Sequence, residues 1–418
     1  MRKDCVVSKI MCPKVLFSVS FVCLFAAGCA GTAKQVNIVS ACEYSSGIWQ
    51  NDRCICQTET CQAGIVCSTL TRTCANHALP DNQEQPKIAQ IPAEEALSLW
   101  QPDAESKKAL ISYMEMITTP GKDFVPAEDR LAVFDLDGTL LCETDPNYLD
   151  YNLYVYRVLE DPTYKDKATP KQIEVANKIV QVNETGTVPD GLDVEHQIAY
   201  MEVFAGMTIP EFTRYVRHFI DQPAPGYDGM KRGQAYYKPM LEVIKYLQAN
   251  AFTVYIVSGT DRLQVRAASA SILNIPEYQI IGSDGTIVAS GQTKTDNLND
   301  DNLHYVYKTD DKLIRGGGFI VKNLKMNKVA VIAQEIGKQP ILSFGNSTGD
   351  ASMAEYVISN NPHPSRAFML LADDLERENG NQAKADKMSK MCEENGWIPI
   401  SMKNDWTTIY GDGVTRKK

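Results

Sequence analysis

The chain has 418 residues, 44% of them hydrophobic and 22% charged, an ordinary globular composition with length enough for two or three domains. Its formal net charge is −10 and its pI is about 5.2. It lacks the basic excess with which proteins attract nucleic-acid backbones, so we expect no nucleic acid among its partners.

Residues 1–28 have the pattern of a signal peptide. Lys14 precedes an apolar run of 13 residues at 15–27, which is shorter than the about 20 residues that span a bilayer. Ala26-Ala27-Gly28-Cys29 resembles a bacterial lipobox, whose cysteine is lipidated, although Ala26 stands where that pattern usually has leucine. We predict an exported bacterial lipoprotein, anchored through Cys29 on the periplasmic or cell-surface side. Ordinary signal cleavage or an uncleaved anchor is the alternative.

Residues 29–76 form a small cysteine-rich segment. Beyond Cys29 it contains six of the twelve cysteines, at Cys42, Cys54, Cys56, Cys61, Cys67 and Cys74. An even number of cysteines in an oxidising compartment predicts a disulfide framework, because so short a segment has too little core to fold without cross-links. Zinc or an iron–sulfur cluster is the competing interpretation, but the paired CxxC spacing of zinc sites is missing.

The segment 77–99 is polar and contains proline, so we expect a linker. Beyond it we predict a core domain from 100–145 and 237–418, interrupted at 146–236 by a segment rich in helices. The helices expected from apolar periodicity are 104–116, 171–182, 196–204, Ile209–Ile220, 240–249, Arg262–Leu273 and 327–336. The expected strands are 131–134, 252–257, 341–344, 367–371 and 397–401, with a hairpin at 279–288 turning on Asp284-Gly285. This alternation predicts an α/β fold, a parallel sheet with helices on both faces.

Three of the predicted strands end in polar residues suited to phosphoryl chemistry. The first ends at Asp135-Leu-Asp137-Gly-Thr139, the second at Ser258-Gly259-Thr260 and the third at Asn346-Ser-Thr-Gly-Asp350. Ligands of open α/β sheets bind beyond the carboxyl ends of the strands. One carboxylate could attack phosphorus while another handles the proton of the leaving group.

Each of these signals also has an ordinary structural explanation. Asp-Gly is a favoured turn pair, Ser258 alone would more often cap a helix, and Asp350 could be a surface cap. Lys328 begins a predicted helix between the second and third strands, but Lys325 is a nearby competitor. Only their joint occurrence in this order predicts a site.

That order resembles the haloacid dehalogenase (HAD) superfamily, specifically its phosphoserine-phosphatase-like branch with a helical cap. The resemblance covers about residues 100–418 and implies a Rossmannoid sheet with an inserted α-helical cap. It implies Asp135 as the nucleophile and Asp137 as the general acid and base. Phosphate would be bound by Thr139, Ser258, Gly259 and Lys328, with Thr139 also orienting the loop. Mg²⁺ would be held by Asp135, Asp137 through its carbonyl, and Asn346 or Asp350.

The resemblance also narrows the reaction. Dehalogenases lack a second aspartate like Asp137, and ion-pumping ATPases carry lysine there. Phosphomutases remain an alternative, but an exported protein has poor access to activated sugar phosphates. We therefore predict a phosphomonoester hydrolase that acts on small phosphorylated metabolites through an aspartyl-phosphate.

The chain departs from the family pattern at Asn346, where many members carry aspartate. An asparagine can bind Mg²⁺ through its amide oxygen but adds no charge. The alternative function is therefore a catalytically weak HAD-scaffold lipoprotein that serves as a binding or surface protein.

The helical insertion is expected to contact the leaving group of the substrate. Glu143 could face that group, or it could form a surface ion pair. Tyr148, Tyr151, Tyr154 and Tyr156 could form an aromatic pocket for a cation, with packing as the alternative. Cys142 and Cys392 are candidates for one further disulfide.

Overall fold

The structure, a computed structural model, describes residues 92–417 except 146 and 293–301, and the backbone alone of four short strands nearer the N-terminus. The chain divides into two compact units, Met1–Lys87 and Ile88–Lys418. In the first unit, β1 (Ile48–Gln50) pairs antiparallel with β2 (Arg53–Ile55), and β3 (Val66–Cys67) with β4 (Cys74–Ala75). The predicted signal segment, Cys29, Cys42, Cys56 and Cys61 lie outside the described residues. Of Cys54, Cys67 and Cys74 only the backbone is described.

The second unit alternates strands and helices. Its strands are β5 (Leu131–Phe134), β6 (Tyr227–Asp228), β7 (Thr253–Asp261), β8 (Ile280–Ala289), β9 (Leu313–Val321), β10 (Leu342–Gly345), β11 (Arg366–Leu371), β12 (Ile398–Ser401) and β13 (Thr415–Arg416). Its α-helices are α1 (Ala93–Ala96), α2 (Glu105–Thr118), α3 (Leu149–Val155), α4 (Pro170–Thr185), α5 (Leu192–Val203), α6 (Ile209–Ile220), α7 (Lys238–Ala249), α8 (Arg262–Leu273), α9 (Met326–Val331), α10 (Ala351–Ile358) and α11 (Gln382–Asn395). Helices α3 and α9 continue as π-helical turns, Tyr156–Glu160 and Ile332–Ile336.

Seven strands form the central sheet, in the order β12-β11-β10-β5-β7-β8-β9. The pairs are parallel except β8 with β9, which is antiparallel. The predicted α/β fold is confirmed. Because β10, β5 and β7 are neighbours, the three polar strand ends lie side by side at one edge of the sheet.

Successive residues of each strand point to opposite faces of the sheet. Both faces are apolar, because helices cover the sheet on both sides. Val133, Val257 and Ile281 face α9 and α10 on one side. On the other side three phenylalanines stand in register on adjacent strands. Phe344 stacks on Phe134 with 4.3 Å and on Phe368 with 5.0 Å between ring centroids, and all three rings are buried.

Helices α3–α6 form the insertion between β5 and β7, and two of them have clear sequence signals at their starts. Thr169 and Gln172 form a capping box at α4, and Thr208 and Glu211 form another at α6. In each, the two side chains satisfy backbone N–H groups that the first helical turn leaves free, and proline follows in that turn.

The insertion is joined to the core through β9. The Gly206 N–H donates to the Arg315 carbonyl, and the Arg315 N–H donates to the Met207 carbonyl, both at 2.8 Å. The buried Arg315 guanidinium donates to both carboxylate oxygens of Asp261, at 2.9 and 3.0 Å. Helix α5 also packs on β9, and α6 packs on α8.

The predicted hairpin at Asp284-Gly285 is wrong, because residues Ile280–Ala289 form the single strand β8. Asp284 pairs with Arg262 at 2.7 Å instead of opening a turn. A Cβ on Gly285 would lie 2.3 Å from Met201 Sδ, so the glycine permits close packing of the insertion. The antiparallel partner of β8 is β9, which the sequence analysis did not identify.

The end of the expected linker 77–99 is folded. Ala93–Ala96 is helical and Leu97 is fully buried.

The disulfide considered between Cys142 and Cys392 does not form. Both cysteines are buried and free. Within the described part of the chain, no helix is both long and apolar enough to cross a membrane.

The stacked phenylalanines give a stability prediction. Phe344→Ala removes the middle ring and leaves a cavity between two strands, so we expect it to lower the free energy of unfolding by about 3–5 kcal/mol. Urea denaturation followed by circular dichroism measures this. Tyr278→Ala, at a side chain that is 73% exposed, is the matched control and should change stability by less than about 0.5 kcal/mol. Equal losses for the two variants would contradict the stacking interpretation.

Candidate active site

Lys328 links two of the three strand ends. Its Nζ donates to Asp135 Oδ1 at 2.5 Å and to Asp350 Oδ1 at 2.7 Å, and its side chain is fully buried. Helix α9 positions the lysine from outside the sheet. Lys325, the competing candidate, is exposed and has φ of 53° at the turn into α9. The structure therefore places Lys328, and not Lys325, beside the predicted nucleophile.

Asp137 has one satisfied and one free carboxylate oxygen. Thr260 Oγ1 donates to Asp137 Oδ2 at 2.7 Å. Among the described residues, the buried Asp137 Oδ1 has no hydrogen-bond partner. A buried polar atom without a partner is rare and costly, so such an atom suggests a functional role. Asp137 is thus held by one oxygen with the other available for proton exchange.

The loop after β5 needs a glycine at position 138. Gly138 has φ of 76°, and a Cβ there would lie 1.9 Å from Asn346 Nδ2 and 2.6 Å from Glu143 Oε2. Asn346 Nδ2 donates to Glu143 Oε2 at 3.1 Å. The buried Thr139 hydroxyl lies 3.5 Å from both Asp135 Oδ2 and Asn346 Oδ1. This backbone approach brings the first and third strand ends into contact.

Asp350 holds the third strand end together. Its Oδ2 accepts hydrogen bonds from the Asn346 and Ser347 N–H groups at 3.1 and 3.0 Å and from the Ser347 hydroxyl at 3.1 Å. Its Oδ1 is taken by Lys328. Both oxygens therefore have protein partners, and Asp350 orients Lys328 and the loop through them.

The second strand end is closed by the segment before α9. The buried Ser258 Oγ accepts from the Thr260 N–H at 3.0 Å, and Asn323 Nδ2 donates to the Ser258 carbonyl at 3.0 Å. A Cβ on Gly259 would lie 2.7 Å from Leu324 Cδ2. Gly259 thus allows this segment to lie directly against the strand end.

Burial dominates the electrostatics of the site. Burial and the nearby charge of Asp350 raise the pKa of Asp135 to about 7. Burial and the charges of Asp150 and Asp135 raise the pKa of Asp137 well above its usual range. Burial also lowers the pKa of Lys328, but the charges of Asp135 and Asp350 outweigh that effect and the net pKa is raised. The protonation states therefore fit a lysine that stays charged beside an aspartate that can hold a proton.

The site fits a hard cation such as Mg²⁺. Asp135 and Asp350 bind the ammonium of Lys328, and the carboxylates of Asp137 and Glu143 are close enough for their charges to act on this group. Asp135 Oδ2 and Asn346 Oδ1 both lie near the Thr139 hydroxyl. Two oxygen atoms that could bind a cation are therefore close together in a site with an excess of negative charge. Within the described residues no group of three or more His, Cys, Asp or Glu side chains is arranged to hold a metal. The predicted Mg²⁺ ligands include the Asn346 side chain and the Asp137 carbonyl, and neither belongs to those four kinds of side chain.

Some features of the site were not predicted from the sequence. Thr260 belongs to the predicted polar end of β7, but its hydrogen bond to Asp137 was not predicted, although strand alternation places it on the same side as Ser258. Asp150, whose charge acts on Asp137, follows from tertiary packing alone. Of the four tyrosines, Tyr151 and Tyr154 pack on His196 and Tyr156 packs on Phe219. Only Tyr148 is close enough for Glu143 and Asp137 to raise its pKa.

Several solved structures are similar to this chain at low sequence identity. Two of them are a conserved functionally unknown protein from Anaerococcus prevotii (14% identity, covering 71% of this chain and 92% of that one, TM-score 0.43) and a phosphoserine phosphohydrolase-like protein from Francisella tularensis (12% identity, covering 64% of this chain and 94% of that one, TM-score 0.34). A protein of unknown function from Bordetella pertussis has 15% identity, with 65% and 97% covered and a TM-score of 0.39. Similarities this low add nothing to the assignment. A search of curated proteins found no match.

The family match is independent of those structures. The model of the haloacid dehalogenase-like hydrolases matches residues 132–355, which is more than half of the 418 residues. The matched region runs from the strand before Asp135 through the helix after Asp350. The chain is therefore a member of the haloacid dehalogenase-like hydrolase family.

Proposed function

We propose that this protein is a Mg²⁺-dependent phosphomonoester hydrolase that acts on small phosphorylated metabolites through an aspartyl-phosphate. The observation that carries the proposal is the different environment of two neighbouring carboxylates. Asp135 is paired with the buried ammonium of Lys328, whereas Asp137 Oδ1 is buried with no partner in the described structure. One is suited to attack and the other to proton transfer.

In the first half of the reaction, a carboxylate oxygen of Asp135 attacks phosphorus and the bond to the ester oxygen breaks. Asp137 Oδ1 gives its proton to the departing alkoxide, which leaves as the alcohol. Thr260 holds Asp137 Oδ2 throughout, so the proton-bearing oxygen stays aimed at the leaving group. Mg²⁺, when bound, would screen the negative charge of the phosphate from the attacking carboxylate.

In the second half, water attacks phosphorus in the aspartyl-phosphate. Asp137 Oδ1, now unprotonated, accepts a proton from that water, and the bond between phosphorus and Asp135 breaks. Inorganic phosphate leaves and both aspartates return to their starting states. Ser258 and Lys328 would bind phosphoryl oxygens in both halves, and the lysine charge would stabilise the transition state.

We also propose that the enzyme works outside the cytoplasm. The support is the apolar run at 15–27 and the lipobox-like residues that end at Cys29. The proposed anchor is the lipid on Cys29, with the cysteine-rich segment 29–76 as a disulfide-linked module between the anchor and the hydrolase.

The enzymatic proposal is tested with an aryl phosphate. We expect turnover in Mg²⁺ that is lost in EDTA, and Asp135→Asn should lower kcat by about a thousandfold or more because no nucleophile remains. Asp103→Asn, the same change at an exposed aspartate, should leave kcat unchanged. Absence of metal-dependent turnover in the wild type would instead support the alternative, a binding lipoprotein on this scaffold.

Asn346 gives a prediction about the metal. Asn346→Asp adds a negative charge beside Asp135 Oδ2, so we expect Mg²⁺ to bind about tenfold more tightly by titration calorimetry. Without metal the same variant should melt at a lower temperature, because its carboxylate then faces Glu143 Oε2, now 3.1 Å from the amide. Asn395→Asp at an exposed helix end is the control. An unchanged Mg²⁺ affinity would exclude Asn346 from the metal site.

The anchor is tested by metabolic labelling with a lipid precursor in the exporting cell. The wild type should be labelled and fractionate with the membrane, and Cys29→Ala should be unlabelled because the acceptor thiol is missing. Cys42→Ala, a matched change thirteen positions further on, should retain the label. Labelling that persists in Cys29→Ala would overturn the lipoprotein proposal.

A further inference from the structure

A second polar cluster is buried beside the phosphoryl site, and none of its residues takes part in the bond-making steps described above. It consists of Asp150 on α3, His196 and Gln197 on α5, and Lys322 directly after β9. His196 and Gln197 are fully buried, and Asp150 is 3% exposed. The Lys322 side chain is 12% exposed. Three of the residues belong to the insertion and one to the core.

The cluster lies between the phosphate-binding strand end and Asp137. Asn323, next to Lys322, donates from its N–H to Ser283 Oγ at 3.0 Å and from Nδ2 to the Ser258 carbonyl at 3.0 Å. Lys322 is thereby tied to the phosphate-binding strand end. On the other side, the charge of Asp150 contributes to the raised pKa of Asp137, the proposed proton donor to the leaving alcohol.

Several hydrogen-bond donors of the cluster have no acceptor within hydrogen-bond distance among the described residues. Lys322 Nζ donates to Gln197 Oε1 at 3.0 Å and lies 4.0 Å from Asp150 Oδ2, beyond hydrogen-bond distance. Within the described residues, Gln197 Nε2 and both ring nitrogens of His196 are buried without a partner. An ammonium has three donors and an amide nitrogen two. A buried group of this kind is incomplete until acceptor oxygens reach it.

Resting on the proposed function, we propose that Lys322 and Gln197 bind an anionic oxygen group on the alcohol portion of the substrate. Lys322 Nζ and Gln197 Nε2 donate to its oxygens while the ester phosphate lies at Asp135. The favoured substrates are phosphomonoesters whose alcohol carries a second negative group, a carboxylate or another phosphate. The Gln197 amide fixes the orientation of this group, and the Lys322 ammonium compensates its negative charge.

Three substrates with the same two-carbon alcohol test this proposal. Phosphoglycolate carries a carboxylate, ethylene glycol bisphosphate a second phosphate, and ethylene glycol monophosphate a neutral hydroxyl. In Mg²⁺, the full-length wild type should have a kcat/KM about tenfold or more higher for at least one anionic substrate than for the neutral one, as charge-assisted hydrogen bonds provide. Which anionic substrate is preferred identifies the group that is bound.

The variants separate specificity from folding. Lys322→Met should abolish the preference and leave kcat/KM for the neutral substrate within about threefold, whereas Lys322→Arg should keep most of the preference because the charge remains. Lys325→Met, the same change at an exposed lysine three positions on, should keep it entirely. Should Lys322→Met fail to fold, Gln197→Glu provides the second variant, and its added negative charge should reduce or reverse the preference.

Two results would overturn the inference. One is a wild type that does not distinguish the three substrates, and the other is a Lys322→Met enzyme that loses turnover of all three equally, as a purely structural lysine would. Turnover of an aryl phosphate, which has no second anionic group, is measured in parallel. If it persists while the preference is absent, the proposed function stands and the specificity inference fails. If it is absent as well, the proposed function has failed.

Discussion

The buried ammonium of Lys328 is the contact on which the arrangement of the site depends. A lysine enclosed in protein is costly unless carboxylates compensate its charge, and here two do, one from each of two neighbouring strand ends. Asp135 follows β5 and Asp350 closes the loop after β10. Because the same loop carries Asn346, the lysine fixes the nucleophile and the candidate metal ligand relative to each other.

The remaining features of the site follow from bringing these strand ends so close. Gly138 is required because any side chain there would collide with Asn346. Thr139 fills the space between the two loops. The site has more carboxylates than ammonium groups, and this imbalance makes it receptive to a cation and able to keep a proton on a buried aspartate.

Local sequence determined most of what could be predicted of this fold. The strand at 131–134 and the helices Ile209–Ile220 and Arg262–Leu273 occur with the expected bounds, because apolar periodicity and helix caps are properties of short segments. The hairpin predicted at Asp284-Gly285 was wrong because a dipeptide that permits a turn also permits an ion pair and a close contact with a helix. Only the fold decides between them, and β9 was missed for the related reason that its Gly316-Gly317-Gly318 run reads as a loop.

The site was predictable to the extent that parallel topology brings strand ends together. Asp135, Ser258, Lys328 and Asp350 converge as their order along the chain implied, and the structure distinguishes Lys328 from Lys325 by burial. Protein donors contact both oxygens of Asp350, and its part in metal binding stays a prediction. Asp150, Gln197 and Lys322 could not have been identified, because they come from separate elements that meet only when the insertion packs on β9.

The attachment of the insertion to β9 limits how the enzyme can admit substrate. A cap joined to its core by two flexible strands can swing open as a rigid body, but here backbone hydrogen bonds tie residues 206 and 207 to Arg315, whose guanidinium is in turn held by Asp261. A large rotation would break sheet-like pairing and expose a buried ion pair. Substrate can therefore reach Asp135 either by local movements of side chains and loops or at the cost of breaking these contacts.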